Sequence, residues 1–168
     1  MRKAILVLFN IFLFFQLSAQ ASKWFVGASG SVTRMDYFIG PEAQFKKERL
    51  QSEVSFTCGA NRTFLQGRFF PRIALGLGYS VDNRPHFSFS PLLKVAYSLL
   101  NLRTTTNAFH HWEEVYGGIG CRFGDKWVVH LDLLGGWMNE QFYDSYSGDL
   151  RNDASLGYEL EIGLGYAW

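Results

Sequence analysis

The chain is poor in charge of either sign. Lys, Arg, Asp and Glu make up 18% of the 168 residues, and the formal net charge is +1. The surface of a soluble domain usually carries roughly 25–35% charged residues, so an exterior that faces water all round is disfavoured. The same balance leaves no basic patch with which to hold a nucleic acid. Long hydrophobic runs are missing after the first twenty or so residues. That rules out a spanning helix in the remainder, which would need about 20 consecutive apolar residues. Cysteine is limited to Cys58 and Cys121. Both fall on the apolar faces of segments not expected to be neighbours, so two free thiols are expected rather than a disulfide.

The chain is rich in aromatic residues, at 17%, and in glycine, with 17 copies. Its N-terminus reads as an export signal. Arg2 and Lys3 precede an apolar run from Ala4 to Leu17, broken only by Asn10 and Gln16, and the small residues Ser18-Ala19-Gln20-Ala21 follow. Charge, apolar run and small residues in this order mark a cleaved segment, and the run is too short to span. Cleavage is expected after Ala21, with Ala19 the alternative. The division is therefore a signal over 1–21 and one domain over 22–168. No cysteine lies near the cleavage site to accept a lipid.

The rest of the sequence alternates with period two. From Ser155 onward, Leu156, Tyr158, Leu160, Ile162, Leu164, Tyr166 and Trp168 share one face, while Ser155, Gly157, Glu159, Glu161, Gly163, Gly165 and Ala167 share the other. Successive strand side chains point to opposite sides, so this is a strand between two different environments. Similar alternation predicts strands over Lys23 to Arg34, Glu53 to Phe64, Phe69 to Ser80, Phe87 to Leu99, Glu113 to Phe123 and Lys126 to Met138. Leu65-Gln66-Gly67-Arg68 and Gly124-Asp125 read as tight turns at one end. Asp36 to Ser52 and Asn139 to Asp153 read as long polar loops at the other. If both tight turns share one end, parity demands one more strand within Leu100 to His111, which makes eight. The expected fold is all-β: an eight-stranded antiparallel up-and-down transmembrane barrel. A soluble, lipocalin-like barrel would turn the apolar face inward. The small Gly, Ser and Ala residues of the polar face suit a crowded eight-stranded interior better, and the G-x-W signature of lipocalins is missing around Trp24.

The signal, the repeated dyad strands, the Gly124-Asp125 turn and the closing run Gly163-Leu164-Gly165-Tyr166-Ala167-Trp168 resemble the small bacterial outer-membrane β-barrels. These include the OmpA/OmpX-like proteins and the porin-family barrels of the Bacteroidota type. The resemblance spans nearly all of the chain after the signal and is architectural. It implies an outer-membrane location, lipid as the surrounding partner, and recognition of the C-terminal strand by the barrel-assembly machinery. No cofactor is expected, and no metal, because the adjacent His110 and His111 would point opposite ways on a strand, which makes joint ligation awkward.

The polar face collects Glu53, Arg72, Lys94, Glu114, Arg122, His130, Asp132, Glu159 and Glu161. Buried charges must be paired, since an isolated one costs several kcal/mol. Two readings follow: an internal salt-bridge network that plugs the barrel, or a gated ion path responsive to protons through His130 and Asp132. A narrow interior favours the network. Trp24, Tyr79, Tyr97, Trp127, Trp137, Tyr166 and Trp168 are expected to form aromatic girdles at the membrane boundaries.

The most reactive-looking group is His110-His111 with Glu113 and Glu114, which otherwise read as loop residues near an interfacial Trp112. With a loop serine such as Ser145 it could form a rim hydrolase site. Lipid A deacylases and palmitoyltransferases are small barrels too, but the His-x-Ser-Asn run of the deacylases is absent, because His111 is followed by Trp112 and Glu113. Tyr143 and Tyr146 are candidates for contacting an extracellular ligand. The leading expectation is a non-catalytic outer-membrane barrel with a structural or binding role. A lipid A-modifying enzyme and an accessory subunit of a secretion or uptake system are the alternatives.

Overall fold

The computed structural model describes residues 22–84, 86–101, 109–143 and 148–168. The expected signal over 1–21, Ser145 and Tyr146 lie outside the described residues, as does the side chain of Tyr143. Nine strands form one antiparallel sheet: β1 Ser22–Thr33, β2 Tyr37–Lys47, β3 Leu50–Gly59, β4 Pro71–Tyr79, the short β5 Asp82–Arg84, β6 Phe87–Asn101, β7 Phe109–Gly124, β8 Trp127–Tyr143 and β9 Leu150–Ala167. Their order is β4-β3-β2-β1-β9-β8-β7-β6-β5, and a further pairing of β4 with β6 closes the sheet into a barrel of eight staves.

Closure is needed because a strand in hydrocarbon has no water to satisfy its backbone. One seam joins β1 to β9, in register from Phe25↔Ala167 to Thr33↔Glu159. Below that ladder the backbones of Trp24 and Trp168 exchange hydrogen bonds of 3.2 and 3.0 Å. The other seam, β4 to β6, runs from Arg72↔Ser98 to Gly78↔Leu92.

Period-two alternation then sorts the side chains. Every second residue of β9 from Leu156 to Tyr166 is exposed, while Glu159 and Glu161 on the opposite face are buried. Alternate valines, leucines, isoleucines and aromatics of β3, β4, β6, β7 and β8 are likewise outside. Roughly ten residues at about 3.3 Å rise and a tilt near 40° give a belt about 25 Å tall, the height of an outer-membrane barrel's lipid-facing band. Cys58 and Cys121 are free thiols.

The end that carries Ser22 and Ala167, here the turn end, has the two-residue turns Glu48-Arg49 and Asp125-Lys126. The opposite, loop end carries the β1–β2 turn, a π-helical turn over Asn61–Leu65, and the β6–β7 and β8–β9 connections. Three expectations are corrected here. The stretch Asp36 to Ser52 is not a loop: it contains the whole of β2 and the start of β3. Residues 100–111 hold no separate strand among the described residues, because β6 runs to Asn101 and β7 starts at Phe109. Leu65-Gln66-Gly67-Arg68 lies at the loop end, opposite Gly124-Asp125, because β3 stops at Gly59. The total of eight staves holds only because β2 replaces the strand expected over 100–111.

β2 is hard to read because Pro41 interrupts it. Proline has no N–H to donate, and the β2–β3 ladder accordingly skips Gly40 and Pro41. A Cβ at Gly40 would overlap the Phe56 carbonyl, so only glycine permits the close approach of the two backbones at that point. Wall height is uneven. The first four staves have 12, 11, 10 and 9 residues, and the last four have 15, 16, 17 and 18. The β8–β9 ladder continues above Trp137↔Leu156 to Tyr143↔Leu150, whereas β1 leaves β9 at Glu159. The four long staves therefore stand above the belt as a ribbon, with β9 as one of its edges.

Candidate functional site

The interior is layered into an apolar plug, an ionic middle and a polar mouth. The plug sits at the loop end, where Phe38, Phe70, Leu100, Trp112 and Met138 form one buried cluster with Met35 packed against it. Phe70 lies 5.2 Å from Phe38 and 5.1 Å from Trp112, ring centre to ring centre. The Arg62 guanidinium covers the plug at 4.7 Å from Phe70 and 5.0 Å from Trp112, a cation–π arrangement. Desolvation there lowers the Arg62 pKa, against the opposing charges of Asp36 and Glu140. Asp36 fixes this covering turn, since its carboxylate accepts backbone N–H bonds from Tyr37 at 2.7 Å, Asn61 at 3.1 Å and Arg62 at 3.0 Å. Trp112 is therefore not interfacial. It is 2% exposed on the inner face of β7.

Below the plug the lumen is ionic. Arg72 of β4 reaches across the barrel and forks between two carboxylates, at 3.0 Å from Glu114 and 2.7 Å from Glu159. Ser98 donates to Glu114 at 3.0 Å. Lys94 lies 3.0 Å from Glu53 and 3.6 Å from Glu159, and also pairs with Glu161. Arg122 donates through Nε to Gln44 at 2.9 Å and approaches Glu53 at 3.6 Å. His130 stands between Glu42, at 2.8 Å from Nε2, and Asp132, at 3.3 Å from Nδ1. With a carboxylate at each ring nitrogen, the form that satisfies both is the imidazolium. All nine residues predicted for the polar face are thus buried in the lumen.

Glu42, Gln44 and Asp36 are absent from that prediction, because they fall in and beside the strand that reads as a loop. The signal is present nonetheless. Phe38, Glu42, Gln44 and Lys46 alternate with Ile39, Pro41, Ala43 and Phe45.

Donor atoms of Glu42, His130 and Glu161, and of Glu53, His130 and Asp132, lie within 4.8 Å of one another. A metal ion would need an unprotonated ring nitrogen, and both nitrogens of His130 already serve carboxylates. The fit to a metal is poor.

The reactive-looking rim group does not converge. Glu114 lies deep in the lumen on Arg72. His110 pairs with Glu140 and stacks on Trp112 at 4.2 Å. His111 packs against Tyr97 at 5.6 Å. Glu113 accepts from Asn139 on the exterior at 3.3 Å.

The seven predicted girdle aromatics are all outside, from Trp24 at 38% to Trp127 at 66% exposure. Trp24, Tyr79, Trp127, Tyr166 and Trp168 ring the turn end, with Trp127 and Tyr166 5.5 Å apart edge to face. Tyr97 and Trp137 stand toward the loop end.

No protein-family model and no curated protein matches the sequence. Solved structures match by shape. The chain is similar to Ail, the attachment invasion locus protein of Yersinia pestis, crystallised with the heparin analogue sucrose octasulfate. The TM-score is 0.50 and the identity 12%, over 88% of this chain and 97% of that one. A major outer membrane protein of Thermus thermophilus matches with a TM-score of 0.49 and 10% identity, over 89% and 100% of the two chains. Neisserial surface protein A matches with 0.40 and 14%, over 88% and 97%. At such identities the Ail likeness speaks for the fold. With its apolar exterior, the chain is a small transmembrane β-barrel of the bacterial outer-membrane type.

Proposed function

We propose that this protein is a non-conducting outer-membrane barrel that presents its loop end to a partner outside the cell. The observation that carries this reading is the open edge that β9 gives the ribbon above the lipid belt. One side of β9 from Asn152 to Tyr158 has no neighbouring stave among the described residues, since β1 pairs only from Glu159 onward, and there Arg34 donates to the Leu156 carbonyl at 3.2 Å. Barrels of this class keep short turns in the periplasm and longer connections outside, which puts the ribbon at the cell exterior. An open strand edge can accept a partner's extended segment through main-chain hydrogen bonds. The plug and the ion-paired middle stand in the way of any solute crossing the lumen, so a pore is disfavoured.

The test is a pair of proteins displayed on otherwise identical cells: the native chain and one whose ribbon is cut back to a short turn joining Met138 to Ser155. The expected result is loss of adhesion or ligand capture in the shortened protein, with insertion and heat-modifiable migration on gels unchanged. Equal binding by both would overturn the reading. The catalytic alternative has its own check, because lipid A from cells with and without the protein should give identical mass spectra. A missing or added acyl chain would make the protein an enzyme.

A further inference from the structure

The outer surface at the turn end holds a feature that the ribbon does not use. Along the lipid-facing side of β2, Ile39, Pro41, Ala43, Phe45 and Lys47 follow one another, so the apolar row ends on a cation. Lys47 is half-buried and stands in register with Ser22 of β1 and Leu50 of β3. Just above it, Trp24 and Phe45 meet at 4.9 Å between ring centres, and Leu50 stands beside Tyr79. Arg49 follows in the same turn and is exposed. Lys126 is exposed next to Trp127, beyond the seam of β1 and β9, and its carbonyl accepts the Ala167 N–H at 2.7 Å.

Other charges at this end cancel in pairs, Lys23 with Asp125 at 3.3 Å and Arg84 with Asp82 at 3.1 Å. Glu48, between Lys47 and Arg49, lines the mouth of a cavity of about 380 Å³ inside the barrel, whereas Lys47 and Arg49 take no part in that lining. Lys47, Arg49 and Lys126 have no ion-pair partner among the described residues. Three unpaired cations against one carboxylate thus sit at the lower rim of the belt, next to its aromatic collar. A lysine so placed lays its methylene stem on apolar surface and holds its ammonium at headgroup depth.

We propose that the turn end recruits anionic glycerophospholipids from the leaflet it meets, their phosphates at Lys47, Arg49 and Lys126 and their acyl chains along Leu50, Tyr79 and Trp127. The aromatic collar accepts any acyl chain, so the three cations supply the selection. A zwitterionic lipid carries its own compensating cation beside the phosphate and gains less from them. The site is independent of the ribbon, and of which leaflet the turn end faces.

The test is tryptophan quenching in phosphatidylcholine bilayers that hold the folded full-length chain. The probes are phosphatidylglycerol and phosphatidylcholine with dibrominated acyl chains, each added at the same small mole fraction. In a Trp137→Phe background the lipid-accessible signal comes from Trp24, Trp127 and Trp168 at the turn end, because Trp112 is buried in the plug. Brominated phosphatidylglycerol is expected to quench as if enriched about fivefold, the weight of one basic side chain near an anionic headgroup. The preference should vanish in about 1 M NaCl, where charge is screened beyond about 3 Å. It should also vanish in Lys47→Gln/Arg49→Gln/Lys126→Gln, whose heat-modifiable migration should stay native, and persist in Arg68→Gln at the loop end. Equal quenching by the two lipids in the native chain at low salt would overturn the proposal. So would a preference undiminished in the folded triple variant, or lost equally in Arg68→Gln. A native chain without lipid preference that sediments with isolated peptidoglycan through the same three cations would make the partner a wall polymer, and would overturn the lipid site as well.

Discussion

At the scale of single residues, the ionic middle is a set of charges that stand or fall together. Arg72 serves Glu114 and Glu159 at once, so Arg72→Met should strand two buried carboxylates. Removing one partner of a buried pair costs about 3–5 kcal/mol. The expected outcome is a barrel that unfolds at clearly lower urea concentration, read from the folded band on unheated gels. Adding Glu159→Gln to Arg72→Met should recover part of that loss, because one orphaned charge is gone. A double variant as weak as the sum of the singles would show that the two side chains act independently. Gly163 offers a second probe. A Cβ there would overlap the ring of His130 and crowd the Glu42 carboxylate. Gly163→Ala should therefore destabilise by roughly 1–3 kcal/mol, as overpacking does. The same substitution should cost less in a His130→Ala background, measured as a double-mutant cycle.

At the scale of elements, the plug and its covering turn make a separable unit. Trp112→Ala removes the largest buried ring and should cost about 3–5 kcal/mol. It should nevertheless leave single-channel recordings silent, because the ion-paired layer still fills the lumen below. Steady conductance in that variant would mean the ionic middle is permeable. The π-helical turn over Asn61–Leu65 hangs on Asp36 through two of its backbone N–H groups. In Asp36→Ala these donors lose their acceptor, and limited proteolysis should cut within 61–70 much faster than in the native barrel, while the staves remain protected.

At the scale of the whole molecule, the barrel is a cup closed at the loop end, with one wall raised into a ribbon. The native protein in a planar bilayer is expected to show no stable open channel. A reproducible conductance step would contradict the plugged interior.

How much of this was legible in the sequence varies from stave to stave. β9 is nearly an inscription of its own structure: Leu156 to Tyr166 face lipid, and Glu159 and Glu161 face the lumen, as period two requires. β2 was not legible, because Pro41 breaks its ladder and its Glu, Gln and Lys residues look like loop chemistry. Their partners, Arg122, His130 and Glu53, lie on other strands. Parity forced a compensating strand at 100–111, where the described residues hold only the ends of β6 and β7. Alternation and low charge were local properties, and they determined the barrel class and which residues turn inward. Which inward residues meet was decided only by closure of the sheet. Arg72 lies 87 positions from Glu159, and Phe38 far from Trp112. Such contacts depend on stagger around the barrel, which no single strand encodes. For the same reason the plug, the unequal wall and the cavity at the turn end came only with the tertiary structure.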